Sequence, residues 1–285
     1  GLFRATSNAT FRNIEFSWKK YGVGGEGNKV KIKNFAGFSG NDEKSKISAI
    51  MVTVGRINRT ETDAVELFAQ AGRDESVQYS SITGFAGLIT TALGTNILNS
   101  SFSGQVSADI DLTNSTKTEN FVGGLGGYGN TDIEDIENTM SIINSSVGTL
   151  QNTLFNFKVS GNKQLEVGLL AGGLKMTAIS GNSVGSLTSS VVSKNIDLNI
   201  LLNNFTNSVS VSMYASGLIG VVEDCNIEDN VSFHTIKVSE QSGISNKNAN
   251  LYLAGLVGKY LLSAEDTGRK IVNCNVSSNI ISTVS

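Results

Sequence analysis

Apolar and polar residues alternate with a period of two along much of this chain. Val106-Ser-Ala-Asp-Ile-Asp-Leu112, Val209-Ser-Val-Ser-Met213, Lys29-Val-Lys-Ile-Lys33 and Val231-Ser-Phe-His-Thr-Ile-Lys-Val238 are the clearest stretches. Such alternation predicts strands with one face buried and one face wet. Helical spacing is scarce. Residues 62–71 (TDAVELFAQA) are the best candidate for a short helix, and the acidic run Asp132-Ile-Glu-Asp-Ile-Glu137 is a second.

The strands are punctuated by a recurring glycine-leucine word. It reads Ala86-Gly-Leu-Ile89, Gly123-Gly-Leu-Gly126, Gly172-Gly-Leu-Lys175, Ser216-Gly-Leu-Ile-Gly220 and Ala254-Gly-Leu-Val-Gly258, with Gly1-Leu2-Phe3 and a degenerate copy around Ala49. The central residues recur every 37 to 49 positions. A second word of polar, small, polar and apolar residues follows: Asn13-Ile-Glu-Phe16, Asn99-Ser-Ser-Phe102, Asn144-Ser-Ser-Val147, Thr188-Ser-Ser-Val191, Asp224-Cys-Asn-Ile227 and Asn273-Cys-Asn-Val276. A unit of this size cannot bury its own apolar face, but stacked copies can.

The expected fold is therefore all-β: a parallel β-helix (β-solenoid) of about six to seven coils, with variable loops on one side. It is read as a single domain over residues 1–285, most degenerate over 40–82. A β-sandwich also uses short alternating strands, but it does not require a recurrent word. In a solenoid, equivalent residues stack into columns. Leu2, Leu88, Leu125, Leu174, Leu218 and Leu256 are expected to form one buried aliphatic column. Asn13, Asn99, Asn144, Thr188, Asp224 and Asn273 are expected to stack at one polar corner, with Cys225 and Cys274 as small inward residues of one slot in successive repeats.

The two words together resemble the GLUG-type repeat of bacterial surface proteins, filamentous adhesins and stalks of some secreted peptidases. The match is good over 216–227 and 254–276, and it fades toward the N-terminus. The resemblance implies a right-handed β-helix at the cell surface, with no catalytic residues in the repeats.

Composition narrows the function classes. The 285 residues include 31 glycines and no proline, which suits a sheet-rich frame because proline cannot donate to a ladder. The net charge of −3 argues against binding nucleic acid through phosphates. No apolar run approaches the ~18 residues of a membrane-spanning helix. Cofactors and metals are not expected: two cysteines and one histidine offer too few ligands for zinc. His234 is the sole histidine and is read as a strand surface residue. Asp132, Glu134, Asp135 and Glu137 form the densest carboxylate cluster and are read as a solvated loop. Eight Asn-x-Ser/Thr sequons mark candidate glycosylation sites at Asn8, Asn58, Asn99, Asn114, Asn144, Asn204, Asn230 and Asn275.

These readings favour a non-enzymatic, structural or adhesive extracellular protein. Its terminal repeats carry no polar cap, so self-association into filaments, or continuation in a longer chain, is expected. A polysaccharide-processing β-helix and a carbohydrate-binding module are the competing functions.

Overall fold

The computed structural model describes residues 3–7, 9–18, 31–32, 35–36, 39–43, 46–54, 65–69, 84–112, 119–131, 139–149, 153–185, 196–205, 211–242, 249–263 and 268–284. Every ordered element among them is a strand, and every strand pair is parallel. Three sheets of seven, sixteen and six strands run the length of the molecule. The expected parallel β-helix is the observed architecture.

The seven-stranded sheet sets the count of coils. Its order is Phe3–Ser7, Ser39–Glu43, Ile89–Leu93, Gly126–Asn130, Ala171–Lys175, Ile219–Glu223 and Val257–Leu261, one strand from each of seven coils in chain order. One repeat is thus one coil. The six-stranded sheet stacks Phe35–Ala36, Gly84–Ala86, Glu119–Gly123, Gln164–Gly168, Val211–Ser216 and Ala249–Ala254. The sixteen-stranded sheet carries the long strands, including Ser101–Leu112, Thr153–Gly161, Ile196–Phe205, Val231–Glu240 and Asn275–Thr283. Each long strand buries alternate residues. Phe155, Leu198 and Ile236 form one inward column, and Phe157, Ile200 and Val238 the next.

Residues 62–71 are not helical where described. Val65–Ala69 is a strand, in register with Ser101–Leu112 and with Lys31–Ile32. A five-residue segment gains more from two ladders of backbone bonds than from an isolated helical turn, which is costly to nucleate. The second helix candidate, 132–137, lies outside the described residues.

The glycine-leucine word turns the chain from the six-stranded to the seven-stranded sheet. The second glycine of the word forms a column at this turn. A Cβ on Gly127, Gly172, Gly220 or Gly258 would sit within 2.8 Å of a backbone oxygen of the preceding coil. Coils close enough to hydrogen-bond leave no room there.

Candidate functional site

The leucine column exists with one change of member. Backbone bonds run from Leu88 to Leu125, Leu170, Leu218 and Leu256 in successive coils. The fifth coil contributes Leu170 rather than Leu174. Leu174 is buried but stands four residues later, paired with Gly129 and Val222. The word of the fifth coil is Gly168-Leu-Leu-Ala-Gly172, in which Leu169 replaces the usual glycine. The second coil is displaced too. Ala36 pairs with Ala86 and Ser39 with Ile89, while residue 49 falls within the strand Lys46–Val54. Leu2 lies outside the described residues.

Each regular coil has two left-handed corners, five residues apart. They are Gly94 and Asn99, Met176 and Gly181, and Asp224 and Asp229, all with φ between 47° and 66°. Sequence reading merged the two corners into one. Asn99 and Asn144 occupy the second corner, as does Asn273. The residue after each faces inward and builds a polar column: Ser100, Ser145, Asn182, Asn230 and Cys274. The Ser100 amide donates to Ser145 Oγ at 3.1 Å, the Ser145 amide to Asn182 Oδ1 at 2.9 Å, and the Asn182 amide to Asn230 Oδ1 at 3.0 Å. Cys225 belongs to the first corner, so the cysteines do not share a slot. Both are free thiols. The shared Asp/Asn-Cys-Asn-Ile/Val spelling arises because both corners need a left-handed residue followed by a small inward one.

His234 is not on the surface. It is 3% exposed, and its ring lies over Gly217. Ser232 Oγ donates to the Gly217 carbonyl at 2.8 Å, so its lone pair takes the Nδ1 proton of His234 at 2.9 Å. Nε2 meets no partner among the described residues. Burial pulls the imidazole down to about 4. The serine proton is committed to a carbonyl and no ring nitrogen receives it, so this pair does not activate a nucleophile.

A second buried group lies outside the leucine-lined core, in the angle between the six- and seven-stranded sheets. Phe121, Glu166, Tyr214 and Tyr252 stack in register and point outward. Phe121 packs on Tyr128 at 5.0 Å, and its ring fills the space a Cβ on Gly173 would need. Tyr214 and Tyr252 stack at 4.8 Å, and Lys259 Nζ sits 5.5 Å from the Tyr214 ring. Glu166 is 1% exposed between these rings. Desolvation pushes its carboxyl up to about 8, against hydrogen bonds from Gln164 and the Asn120 backbone. A carboxylic acid neutral at pH 7 has the protonation state of a general acid. Packed rings deny it a substrate, so the angle reads as an outer core.

The sequons divide. Asn99, Asn144, Asn204 and Asn275 are exposed. Asn230 is 0% exposed, and its amide is spent on Ile179 and Glu228, so it is not a glycan acceptor in the fold. Asn8, Asn58 and Asn114, and the carboxylates Asp132, Glu134, Asp135 and Glu137, lie outside the described residues. No cluster of metal-ligating residues occurs among the described ones.

The seventh coil carries a feature that sequence reading did not locate. Of the large apolar residues exposed among those described, Leu93 alone is elsewhere; Tyr252, Leu261, Leu262, Ile271, Ile280 and Ile281 all belong to this coil or its insertion. Among the described residues its strands pair on one side only, as do Phe3–Ser7 and Thr10–Trp18 in the first coil. Compared with known proteins, the chain matches no family model, no curated protein and no solved structure.

Proposed function

We propose that this chain is a structural segment or subunit of a surface fibre, an adhesin-type solenoid assembled by end-to-end stacking of coils. One observation carries the reading: one repeat is one coil, and three parallel sheets stack the coils one on another in chain order. Open parallel edges are templates for a further strand, and head-to-tail contacts that do not close generate filaments. The GLUG-type words support an extracellular or cell-surface setting, with exposed Asn99, Asn144, Asn204 and Asn275 available to glycans.

Light scattering over a concentration series, with negative-stain electron microscopy, tests it. Rods that grow in length at constant width are expected. A monodisperse species of 30.1 kDa at every concentration would overturn the reading.

A further inference from the structure

We propose that the sixth coil carries an acid-triggered switch, in which protonation of His234 parts the turn at residues 216–220 from the strand Val231–Glu240. The switch goes beyond the fibre reading and does not depend on it. Its geometry lies in the core. The glycine just before each column leucine leaves room for a side chain from the facing sheet. Gly87 makes room for Phe102, Gly124 for Val147 and Gly255 for Val276, all hydrocarbon. Gly217 makes room for His234 instead, whose Cε1 and Nδ1 lie 1.9 Å and 2.4 Å from where a Cβ would stand. The neighbouring inward column changes in the same coil. From the third coil to the seventh it reads Phe102, Val147, Val184, Ser232 and Val276, so Ser232 is its polar member. Two residues thus turn an apolar pocket of the frame into a titratable one.

The pocket suits the neutral ring and not the charged one. Ser232 Oγ bridges the Gly217 carbonyl at 2.8 Å and His234 Nδ1 at 2.9 Å, which ties the strand to the turn across the core. Neutral His234 leaves one lone pair unmet, at the buried Nε2. The imidazolium adds an N–H at Nε2 and a full charge, and no acceptor or counter-ion meets it among the described residues. A buried charge without a partner costs far more than a buried lone pair. Ile196 of the fifth coil pairs with His234 on one side and Ser278 of the seventh on the other. No ionisable residue occurs in Ser183–Val184, in residues 216–218 and 254–256, or in Asn275–Thr283. Asp197 pairs with Thr235 on the opposite face, Lys237 is exposed, and Glu240 stands at the far end of the strand. Glu223 is held by Lys175 at 2.6 Å on the outer surface. Burial alone lowers the imidazole, to about 4 from 6.5.

The folded value lies below the ordinary one, so the closed coil is fully favoured above pH 6.5 and loses that advantage as pH falls to 4. An opening that wets the ring should therefore become about 150-fold more populated between pH 7.5 and 4, the linkage ratio for values of 6.5 and 4. Amide exchange reads this opening directly. Gly217 donates to the Ala254 carbonyl, and Leu218 and Ile219 donate to that of Leu256. After correction for intrinsic exchange rates, these three amides should lose protection by about that 150-fold ratio. Leu88 and Leu125, bonded to Leu125 and Leu170 in coils farther along the stack, should keep theirs. His234→Leu restores hydrocarbon to the pocket and should hold protection at residues 217–219 flat with pH. Equal acid loss in the variant, or equal loss at Leu88 and Leu125, overturns the switch.

A second measurement needs no variant, and decides the matter should His234→Leu not fold. His234 is the only histidine, so the chain gives a single imidazole proton signal. That signal should stay unshifted through pH 6.5 and titrate near 4, together with the loss of protection at residues 217–219. Titration near 6.5 while the turn stays protected overturns the inference.

Discussion

Replacing Asn230 by alanine removes four hydrogen bonds to nitrogen and oxygen partners, and a weak one to Cys274 Sγ at 4.0 Å, from the polar column. Its Oδ1 accepts from the Asn182 amide at 3.0 Å and from Asn182 Nδ2 at 2.9 Å. Its Nδ2 donates to the carbonyls of Ile179 at 3.0 Å and Glu228 at 2.8 Å. Asn182 Nδ2 retains the Ile142 carbonyl at 2.8 Å, so the orphaned donor is the Asn182 amide, buried where water does not reach. An unsatisfied buried donor costs about 1–3 kcal/mol, and each other lost bond about 1 kcal/mol or less. The total expected for Asn230→Ala is about 3 kcal/mol. Serine should fare better, because the chain already uses it: Ser145 Oγ serves the Ser100 amide at 3.1 Å. Asn230→Ser should cost about 1–2 kcal/mol, keeping an acceptor near the Asn182 amide. Urea unfolding followed by circular dichroism reads the loss, and amide hydrogen exchange at Asn182 reads its location. Equal losses for alanine and serine, or unchanged protection at Asn182, would refute the claim that this column holds the coils together.

Two further substitutions probe the turns and the outer angle. Gly217→Ala should disrupt the sixth coil, since its Cβ would fall 1.9 Å from His234 Cε1 and 2.3 Å from the Gly255 carbonyl oxygen. Gly126→Ala should be nearly neutral, with its nearest neighbour 3.8 Å away; melting temperatures of the two variants decide this. Glu166→Gln should stabilise the protein at pH 8 and leave it unchanged at pH 4. The folded carboxyl is raised to about 8 from 4.5, so the fold favours its neutral form. Its favourable contribution is full below 4.5 and is lost as pH rises to 8. At pH 7 the desolvated acid costs about 3 kcal/mol, an upper bound at 1.36 kcal/mol per pH unit. Unfolding curves across that window should flatten in the variant; an unchanged slope counts against the buried acid.

Much of the frame was legible in the residues. Alternation named the strands Ser101–Leu112 and Val231–Glu240, and the glycine-leucine word placed Leu88, Leu125, Leu218 and Leu256 in one column. The errors came where local spelling was ambiguous. Gly172-Gly-Leu174 looks like the turn, but its glycines serve the close approach of Gly127 and the ring of Phe121. Asp224-Cys225 and Asn273-Cys274 look alike because two different corners impose the same demand. His234 reads as a surface residue from its own strand, because nothing local to that strand reveals that Gly217 opens a space for its ring.

The sequence by itself determined that the chain is all-β and that it repeats coil by coil. Periodicity and glycine spacing are local, and stacking is the one way such repeats bury their leucines. The tertiary structure alone decided the register between coils. A one-residue slip leaves the word intact while sending every side chain to the other face, and only the pairing of whole strands selects among such slips. That register puts Leu170 in the leucine column, separates the cysteines, buries Asn230 and Glu166, and leaves the apolar edge of the seventh coil facing outward.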